Sequence, residues 1–437
     1  MSATNSEGPT VAVKLFVDKE RSKVLFAESD CEFVDVLFGF LTLPLGSVVR
    51  LFGEQHRVGC LDQVFKIVEG LDTDYFHSTA CKTMLLRPLN AAADLCDKLK
   101  VKIDTNPRAV YVCKNTRCFC SGGYAITLVD GSICSGCGKV RKYIGQWPQD
   151  PDNTAAASSN GVFVKGFYKF IITDDLEVAP ASTSIMVSLL DKFGVRNPAF
   201  LEHKIIQLNA EKIISLLKRS LSTKQALTEY YFNAPISNDD SHLYVLPDNL
   251  YSKRKADVDN KLTNVKINIV QTKSNLSLLY AEVGDDFINL LLGLLSIPLG
   301  SFVRTYGKSS SNGCVDSIYR SIDGCAKRCM SPQCQILLQS PKVAPFFGSC
   351  TSNMLEAEEA APREKLIDCC FGCFKTRGFS GYVRLTASKV MSSQIPSNDL
   401  MVNELTLTKA QVKELLRAAV VTRNILSSVL LPPRKKP

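Results

Sequence analysis

Shifted against itself by 254 positions, the sequence brings AESDCEFVDVLFGFLTLPLGSVVRLFG, which begins at Ala27, onto AEVGDDFINLLLGLLSIPLGSFVRTYG, which begins at Ala281. Over positions 24–65, 17 of 42 residues are identical without a gap. A self-match of this length constrains the fold more than any single motif, because the two copies must adopt related structures. A second match, at an offset of 199, places Leu208, Leu216, Leu217, Thr223 and Leu227 on Leu407, Leu415, Leu416, Thr422 and Leu426. The whole unit is therefore duplicated. The second copy is shorter: it lacks most of what lies between Arg108 and Asn160, and it has no counterpart of the helix-like STSIMVSLLDKFG that follows Pro180.

Each copy opens with alternating apolar residues, Val11, Val13, Leu15 and Val17 in the first and Val265, Ile267 and Ile269 in the second. That is the period of a half-buried strand. A polar turn at Glu20 to Ser22 leads into Val24, Leu25 and Phe26, which predicts a β-hairpin. A helix follows, with Ser29 or Asp30 as N-cap and Phe33, Val34, Leu37, Phe40 and Leu41 on one face, stopped or kinked at Pro44 and Gly46. Val64, Phe65 and Val68 mark a further amphipathic segment after Gly59 and Cys60, with Asp62 in its first turn. Two helices close the copy, Ala210 to Leu221 and Thr223 to Phe232, with Ser222 placed to cap the second. The expected fold class is α+β: two tandem related modules, each a β-hairpin followed by helices, with a zinc-ribbon-like insert in the first. Module one spans residues 9–232 with the insert at 109–147, a polar linker spans 233–262, and a shortened module two spans 263–431. PQDPDNTAAASSNG, from Pro148 to Gly161, is a surface loop by composition.

A chain of 437 residues with 45% hydrophobic and 22% charged residues can bury sizeable cores and is not the composition of a disordered protein. No apolar run stands behind a basic start, so a secretory signal is not expected. The most apolar stretch, Phe287 to Leu299, is interrupted by Asn289, Gly293, Ser296 and Pro298 and falls well short of the roughly 20 residues of a membrane helix. The expectation is a cytoplasmic or nuclear protein without a membrane partner. Its 17 cysteines are then reduced thiols, to be weighed first as metal ligands and core residues.

Five of them, Cys113, Cys118, Cys120, Cys134 and Cys137, fall within a 25-residue window among polar and glycine-rich residues that cannot build a large core. Cys134-x2-Cys137 followed by Gly138 has the form of a zinc knuckle, in which a tight turn aims two thiolates at one ion. Cys113 and Cys118 supply two more ligands, so the expected site is a structural zinc held by Cys113, Cys118, Cys134 and Cys137, with Cys120 as the alternative to Cys118. Four thiolates close the coordination shell and leave no catalytic position. In the second copy Cys370-x2-Cys373 stands beside Cys369 without a second knuckle, and Cys325, Cys329, Cys334 and Cys350 are too loosely spaced to suggest a site.

Signals of catalysis are sparse. None of the four histidines, His56, His77, His203 and His242, recurs in the other copy, and no nucleophile elbow, P-loop or dinucleotide fingerprint is present. Cys60 and Cys314 both precede a helix, where a dipole can lower a thiol pKa, although a small buried residue is the plainer reading. The shared Glu28 and Glu282, the Asp174–Asp175 turn, and the shared Arg50 and Arg304 read as caps, ion-pair partners or packed stems. Lys114, Arg117, Lys139, Arg141, Lys142 and Tyr143 make the insert locally basic, as phosphate contact and base stacking would use, and the net charge is +9. The leading expectation is a non-enzymatic interaction or scaffold protein with a protein partner. A nucleic-acid-associated zinc-ribbon protein is the chief alternative, and a thiol-dependent enzyme the third.

The run KLFVDKERSKVLFAESDCEFVDVLFGFLTLPLGSVVRLFG, the later GCLDQVF, FVKGFYKFIITDDLEVAPAS and LLKRSLSTKQALTEYYF together resemble the plant domain-of-unknown-function family 674 over nearly the whole chain. Members of that family are similar in repeating the unit and in holding a cysteine-rich stretch ending in Cys-Gly, here Cys137–Gly138. The resemblance implies a plant source and no activity. The second copy departs from it, reading TASKVMSS where the first has the Thr-Asp-Asp-Leu segment.

Overall fold

A computed structural model describes residues 8–53, 58–106, 108–115, 126–134, 136–146, 161–195, 201–236, 265–274, 278–307, 313–345, 347–361, 383–386, 400–423 and 425–430. The fold is mixed α+β. The chain begins with the hairpin β1 (Val11–Asp18) and β2 (Lys23–Ser29), and continues through α1 (Cys31–Gly39), a 3-10 turn at Phe40–Thr42, α2 (Leu45–Phe52), α3 (Leu61–Gly70), α4 (Thr79–Leu86) and the short α5 (Ala93–Cys96). Three strands of the insert follow, β3 (Ala109–Val112), β4 (Ile126–Thr127) and β5 (Lys142–Gln146). After them come β6 (Phe170–Thr173), β7 (Val178–Pro180), α6 (Thr183–Lys192), β8 (Leu201–Leu208), α7 (Ala210–Ser222) and α8 (Ala226–Tyr231).

The second half also opens with a hairpin and helices: β9 (Val265–Thr272), β10 (Leu278–Val283), α9 (Asp285–Gly293), a 3-10 turn at Leu294–Ser296, α10 (Leu299–Tyr306), α11 (Val315–Asp323), α12 (Pro332–Gln339), α13 (Cys350–Met354), β11 (Val383–Thr386), β12 (Leu400–Leu407), α14 (Lys409–Val421) and α15 (Ile425–Leu430). Both hairpins are where the alternation predicts them. One expected cap is not: Ser222 is the last residue of α7 and its hydroxyl bonds back to the Lys218 carbonyl, while α8 starts only at Ala226. A serine at a helix end finds the carbonyl four residues back as easily as the next helix's N–H groups.

The first sheet has strand order β7-β6-β2-β1-β8, and the second has β11-β10-β9-β12, which among the described residues is the same order without a counterpart of β7. All pairs are antiparallel. One face of the first sheet, through Val11, Val13, Leu15 and Val17, enters a core that runs without a break into Val265, Ile267 and Ile269 of the second. The other face, with Phe16, Leu25, Phe26 and Ile171, is covered by Ile185, Met186 and Leu189 of α6.

The two halves meet through reciprocal contacts. The Leu45 N–H donates to the Ile297 carbonyl at 2.9 Å, and the Leu299 N–H donates to the Leu43 carbonyl at 2.8 Å, with Pro44 opposite Pro298. A Cβ on Gly46 would lie 2.9 Å from the Leu295 carbonyl oxygen, and one on Gly300 would lie 2.9 Å from that of Leu41. The shared Gly-Cys pair does the same at a second place. The Cys60 N–H donates to Ala419 at 2.9 Å and the Cys314 N–H to Ser220 at 2.7 Å. These carbonyls lie in the last turns of α14 and α7, and the donors stand at the starts of α3 and α11, so each contact joins a helix-end acceptor to a helix-start donor that lack intrahelical partners. Gly59 and Gly313, at φ of 55° and 73°, bring the backbones together: a Cβ would sit 2.5 Å from the Val420 carbonyl carbon or 2.2 Å from the Ser220 oxygen.

Gly53 also has positive φ, 61°, but a Cβ there meets nothing within 4 Å. Gly53→Ala is expected to cost about 1–3 kcal/mol from backbone conformation alone, since ψ of −156° puts it in a region almost confined to glycine. Gly59→Ala and Gly313→Ala should each lose roughly a further 1–3 kcal/mol by forcing the halves apart. Urea midpoints of the three variants check this, and equal losses at all three positions would rule out the close approach as the cause.

Candidate metal centre

The insert is a small antiparallel sheet, β4-β3-β5, with Tyr111 opposite Thr127 and Tyr143. Cys113 follows directly on β3. Cys134 opens a tight turn in which the Gly138 N–H donates to the Cys134 carbonyl at 2.8 Å and the Cys134 N–H to the Lys139 carbonyl at 2.9 Å. Gly138 closes the turn at φ of 67°, the left-handed conformation that explains glycine at this position. The Ile133–Val140 bridge and the Arg141 N–H to Ser132 carbonyl bond at 2.8 Å continue the turn into β5.

This geometry brings the sulfurs of Cys113, Cys134 and Cys137 within 4.8 Å of one another, a grouping that could hold a metal ion. Cys113 Sγ and Cys137 Sγ are 3.5 Å apart, too far for a disulfide bond, and both cysteines are free. The Asn115 N–H draws the Cys113 thiol pKa down, while burial and the Cys137 and Cys134 sulfurs push it up, to about 11 overall. Such crowding is what a cation replacing the protons relieves. Cys118 and Cys120 lie outside the described residues, as do Cys369, Cys370 and Cys373. Among the described residues no other metal-ligating group of this kind occurs.

The expected basic surface is smaller than its sequence suggests. Lys114, Lys139 and Lys142 are exposed, but Arg141 is buried, 2% exposed, and Arg117 lies outside the described residues. Arg141 lies just before β5, where its N–H is bonded to the Ser132 carbonyl, and its side chain is turned out of the surface while the lysines on either side stay exposed.

The other candidates resolve into structural roles. The Cys60 thiol pKa is pushed up to about 12 by burial, with Asp62 adding to it. Burial also pushes up that of Cys314, whose sulfur donates to the Thr223 carbonyl at 2.9 Å. Desolvation thus outweighs any help from the helix start, and neither thiol is activated. Asp174 accepts the Thr228 N–H at 2.8 Å and its hydroxyl at 2.7 Å, while Asp175 accepts the Ser317 hydroxyl at 2.9 Å. The Asp-Asp turn therefore fastens α8 and, from the second half, α11. Arg50 pairs with Asp104 at 2.7 Å, and Arg304 donates to Ser340 at 2.5 Å and to the Glu356 carbonyl. Glu28 pairs with Lys14 at 3.6 Å across the hairpin. His77 is exposed, and His203 is an exposed strand residue whose ring packs on Phe16. His56 and His242 lie outside the described residues.

Sequence reasoning passed over Asp35, although an acid between Val34 and Val36 on a core-facing helix was the available signal. Its carboxylate accepts the N–H groups of Val162, Phe163 and Val164 at 2.6, 2.8 and 2.9 Å, anchoring the chain as it returns from the insert. Burial raises its pKa to about 6 against the pull of those three donors. A buried carboxyl near neutrality has the profile of a general base, but both oxygens are occupied by backbone, which makes Asp35 a clamp.

The family described as "Protein of unknown function (DUF674)" matches residues 7–394, and the chain belongs to it. No curated protein and no solved structure matches the chain.

Two outcomes follow from the titrating groups. Asp35 is protonated in both the folded and unfolded chain at low pH. As pH rises toward 6 the unfolded chain ionises first, so stability from this group is lost on going from pH 4 to 7, on the order of 2–3 kcal/mol. The stability difference between wild type and Asp35→Asn, followed by urea unfolding across that range, should carry this slope, and a flat difference would contradict it. Native alkylation at pH 8, read by peptide mass spectrometry, should modify the exposed Cys325 and Cys350 while Cys60 and Cys314 stay unmodified until the chain unfolds.

Proposed function

We propose that the chain is a non-enzymatic interaction protein built from two tandem copies of one unit, residues 9–232 and 263–431 joined by 233–262, whose insert at 109–147 is a zinc ribbon held by one structural zinc. The convergence of the Cys113, Cys134 and Cys137 sulfurs carries this reading. Tetrahedral zinc at about 2.3 Å from each sulfur sets neighbouring sulfurs roughly 3.8 Å apart, and the 3.5 Å between Cys113 and Cys137 is close to that spacing. Cys118 is the proposed fourth ligand and Cys120 its alternative. A shell of four thiolates offers no open position to a substrate, so the metal acts by holding the insert together.

The insert carries exposed apolar side chains, Val140 at 59%, Tyr143 at 55% and Ile144 at 54% exposure, flanked by Lys139 and Lys142. Aromatic and aliphatic groups within a basic rim suit a protein partner with acidic borders. The exposed lysines and Tyr143 also keep a nucleic-acid reading in play, which the burial of Arg141 weakens. Reduced thiolate ligands suit a cytoplasmic or nuclear location.

Elemental mass spectrometry of the purified protein should find about one zinc per chain, with Cys134→Ser and Cys137→Ser each losing it and lowering the unfolding temperature. Comparison of Cys118→Ser with Cys120→Ser identifies the fourth ligand as the variant that loses metal. A metal-free wild type purified under reducing conditions would overturn the zinc assignment, and salt-dependent binding to nucleic acid would favour the second reading over the first.

A further inference from the structure

A cavity of about 160 Å³ lies where α1, the loop around α5, the insert and the second half of the chain come together. Val36, Leu43, Leu99, Val101, Val129 and Phe347 are among its walls, each buried. None of the clustered cysteines lines it. Asn90, Cys96, Asp97, Asp104 and Arg108 along it are satisfied internally, and the exposed Lys102 stands at its rim. Asn90 Nδ2 donates to Thr42 Oγ1 at 3.0 Å and approaches Cys96 Sγ at 3.6 Å, and Thr42 Oγ1 donates to the Gly39 carbonyl at 2.8 Å. Burial pushes the Cys96 thiol pKa up to about 11, so this side of the cavity is uncharged at neutral pH. At the mouth Arg108 is bound to the carboxylates of both Asp94 and Asp97, and Asp104 is bound to Arg50.

We propose that this cavity binds a small, neutral, predominantly apolar molecule, aromatic or compactly branched. The argument rests on size, lining and charge. An apolar cavity of about 150 Å³ in a protein core stays dry and takes up a ring the size of benzene, and this one is slightly larger. A fixed apolar lining with a few polar groups at one end is the usual form of a small-molecule site. An ionised ligand is disfavoured because the inner walls are buried apolar side chains; at the mouth the Arg108 guanidinium already serves two carboxylates, and the exposed Lys102 reaches an anion only at the rim, in water. A cation would leave aqueous solvent for a wall of valine, leucine and phenylalanine side chains. The walls come from three parts of the chain, with Val129 from the insert, Val36 from α1 and Ala344 and Phe347 from the second half. An occupant therefore adds contacts that join these parts.

The test uses the full-length protein with indole and toluene as neutral probes and benzoate as the charged one. Binding is followed by the rise in unfolding temperature and by methyl NMR shifts of the valine and leucine residues named above. The expected result is a saturable response to indole or toluene that benzoate does not give. The response should weaken at least tenfold in Ala344→Leu, which fills the cavity from the second half, and likewise in Ala360→Leu, the variant to use if the first does not fold. A neutral probe that gives no saturable shift, benzoate binding as tightly as indole, or probe binding unchanged in a folded cavity-filling variant would each overturn the proposal. Zinc content is measured on the same samples, so that loss of the metal is distinguished from loss of the ligand site.

Discussion

The exchange of backbone hydrogen bonds between the two Pro-Leu-Gly turns is the contact on which the rest of the architecture leans. Leu45 and Leu299 each give an N–H to the carbonyl just before the other's proline, and the glycine that follows lets the two turns pack at backbone distance. Buried backbone groups must be paired, and here each half supplies the other's partner. The Gly-Cys segments repeat the arrangement some fifteen residues further on, with the start of a helix in one half placed on the end of a helix in the other. This gives a physical reason for the places where the copies remain alike. Pro44, Leu45, Gly46, Gly59 and Cys60 all recur at the same offset because each makes a contact that its counterpart makes in return.

Away from these contacts the halves differ. The first sheet has α6 over its outer face and presents Phe16, Phe26 and Ile171 to it. The second copy has no segment of that sequence, and the corresponding positions are Val270, Tyr280 and Arg384. Lys266 and Glu404 form an ion pair on the same sheet at 2.8 Å, with both side chains more than half exposed. Such a pair adds little stability, and Val270 on the same face is itself buried, 3% exposed, so part of that face is covered although no counterpart of α6 occurs among the described residues. The Asp174–Asp175 turn is likewise confined to the first copy. It binds α11 of the second half through Ser317, so its absence from the second copy removes one member of what would otherwise be a symmetric pair of contacts.

Much of the architecture was legible because it depends on local pattern. Alternation gave both hairpins, periodicity gave α1 and α7, and cysteine spacing identified three residues that the fold brings within ligand distance. What stayed hidden depends on tertiary context. The sequence shows that Gly59 and Gly313 are shared, but not that each lies against the helix end of the opposite copy. Asp35 looks like an ordinary helix residue until the returning chain places three N–H groups on it. Arg141 reads as part of a basic run, and only the tertiary fold around the Ser132–Arg141 turn takes its side chain out of the surface. Cys60 and Cys314 sit at helix starts as expected, and the plainer reading of them as small buried residues holds, since burial of the thiol outweighs the helix dipole.

The insert poses the sharpest stability question, and its dimensions argue for the proposed metal. Its strands are four, two and five residues long, and β5 is exposed along nearly its whole length. Among the described residues, the buried apolar side chains of the insert are Val110, Val112, Val129 and Cys134. A sheet this small does not bury enough apolar surface to offset its ordering entropy, and units of this size ordinarily depend on a metal or a covalent cross-link. Docking supplies part of the difference. Arg108 ties the start of the insert to Asp94 and Asp97, and Gly131 at φ of 73° packs where a Cβ would lie 2.7 Å from Thr79. These contacts hold the base of the insert, at the opposite end from Cys113 and the Cys134–Cys137 turn. The three sulfurs converge at the cysteine end, where a metal ion would contribute most to order.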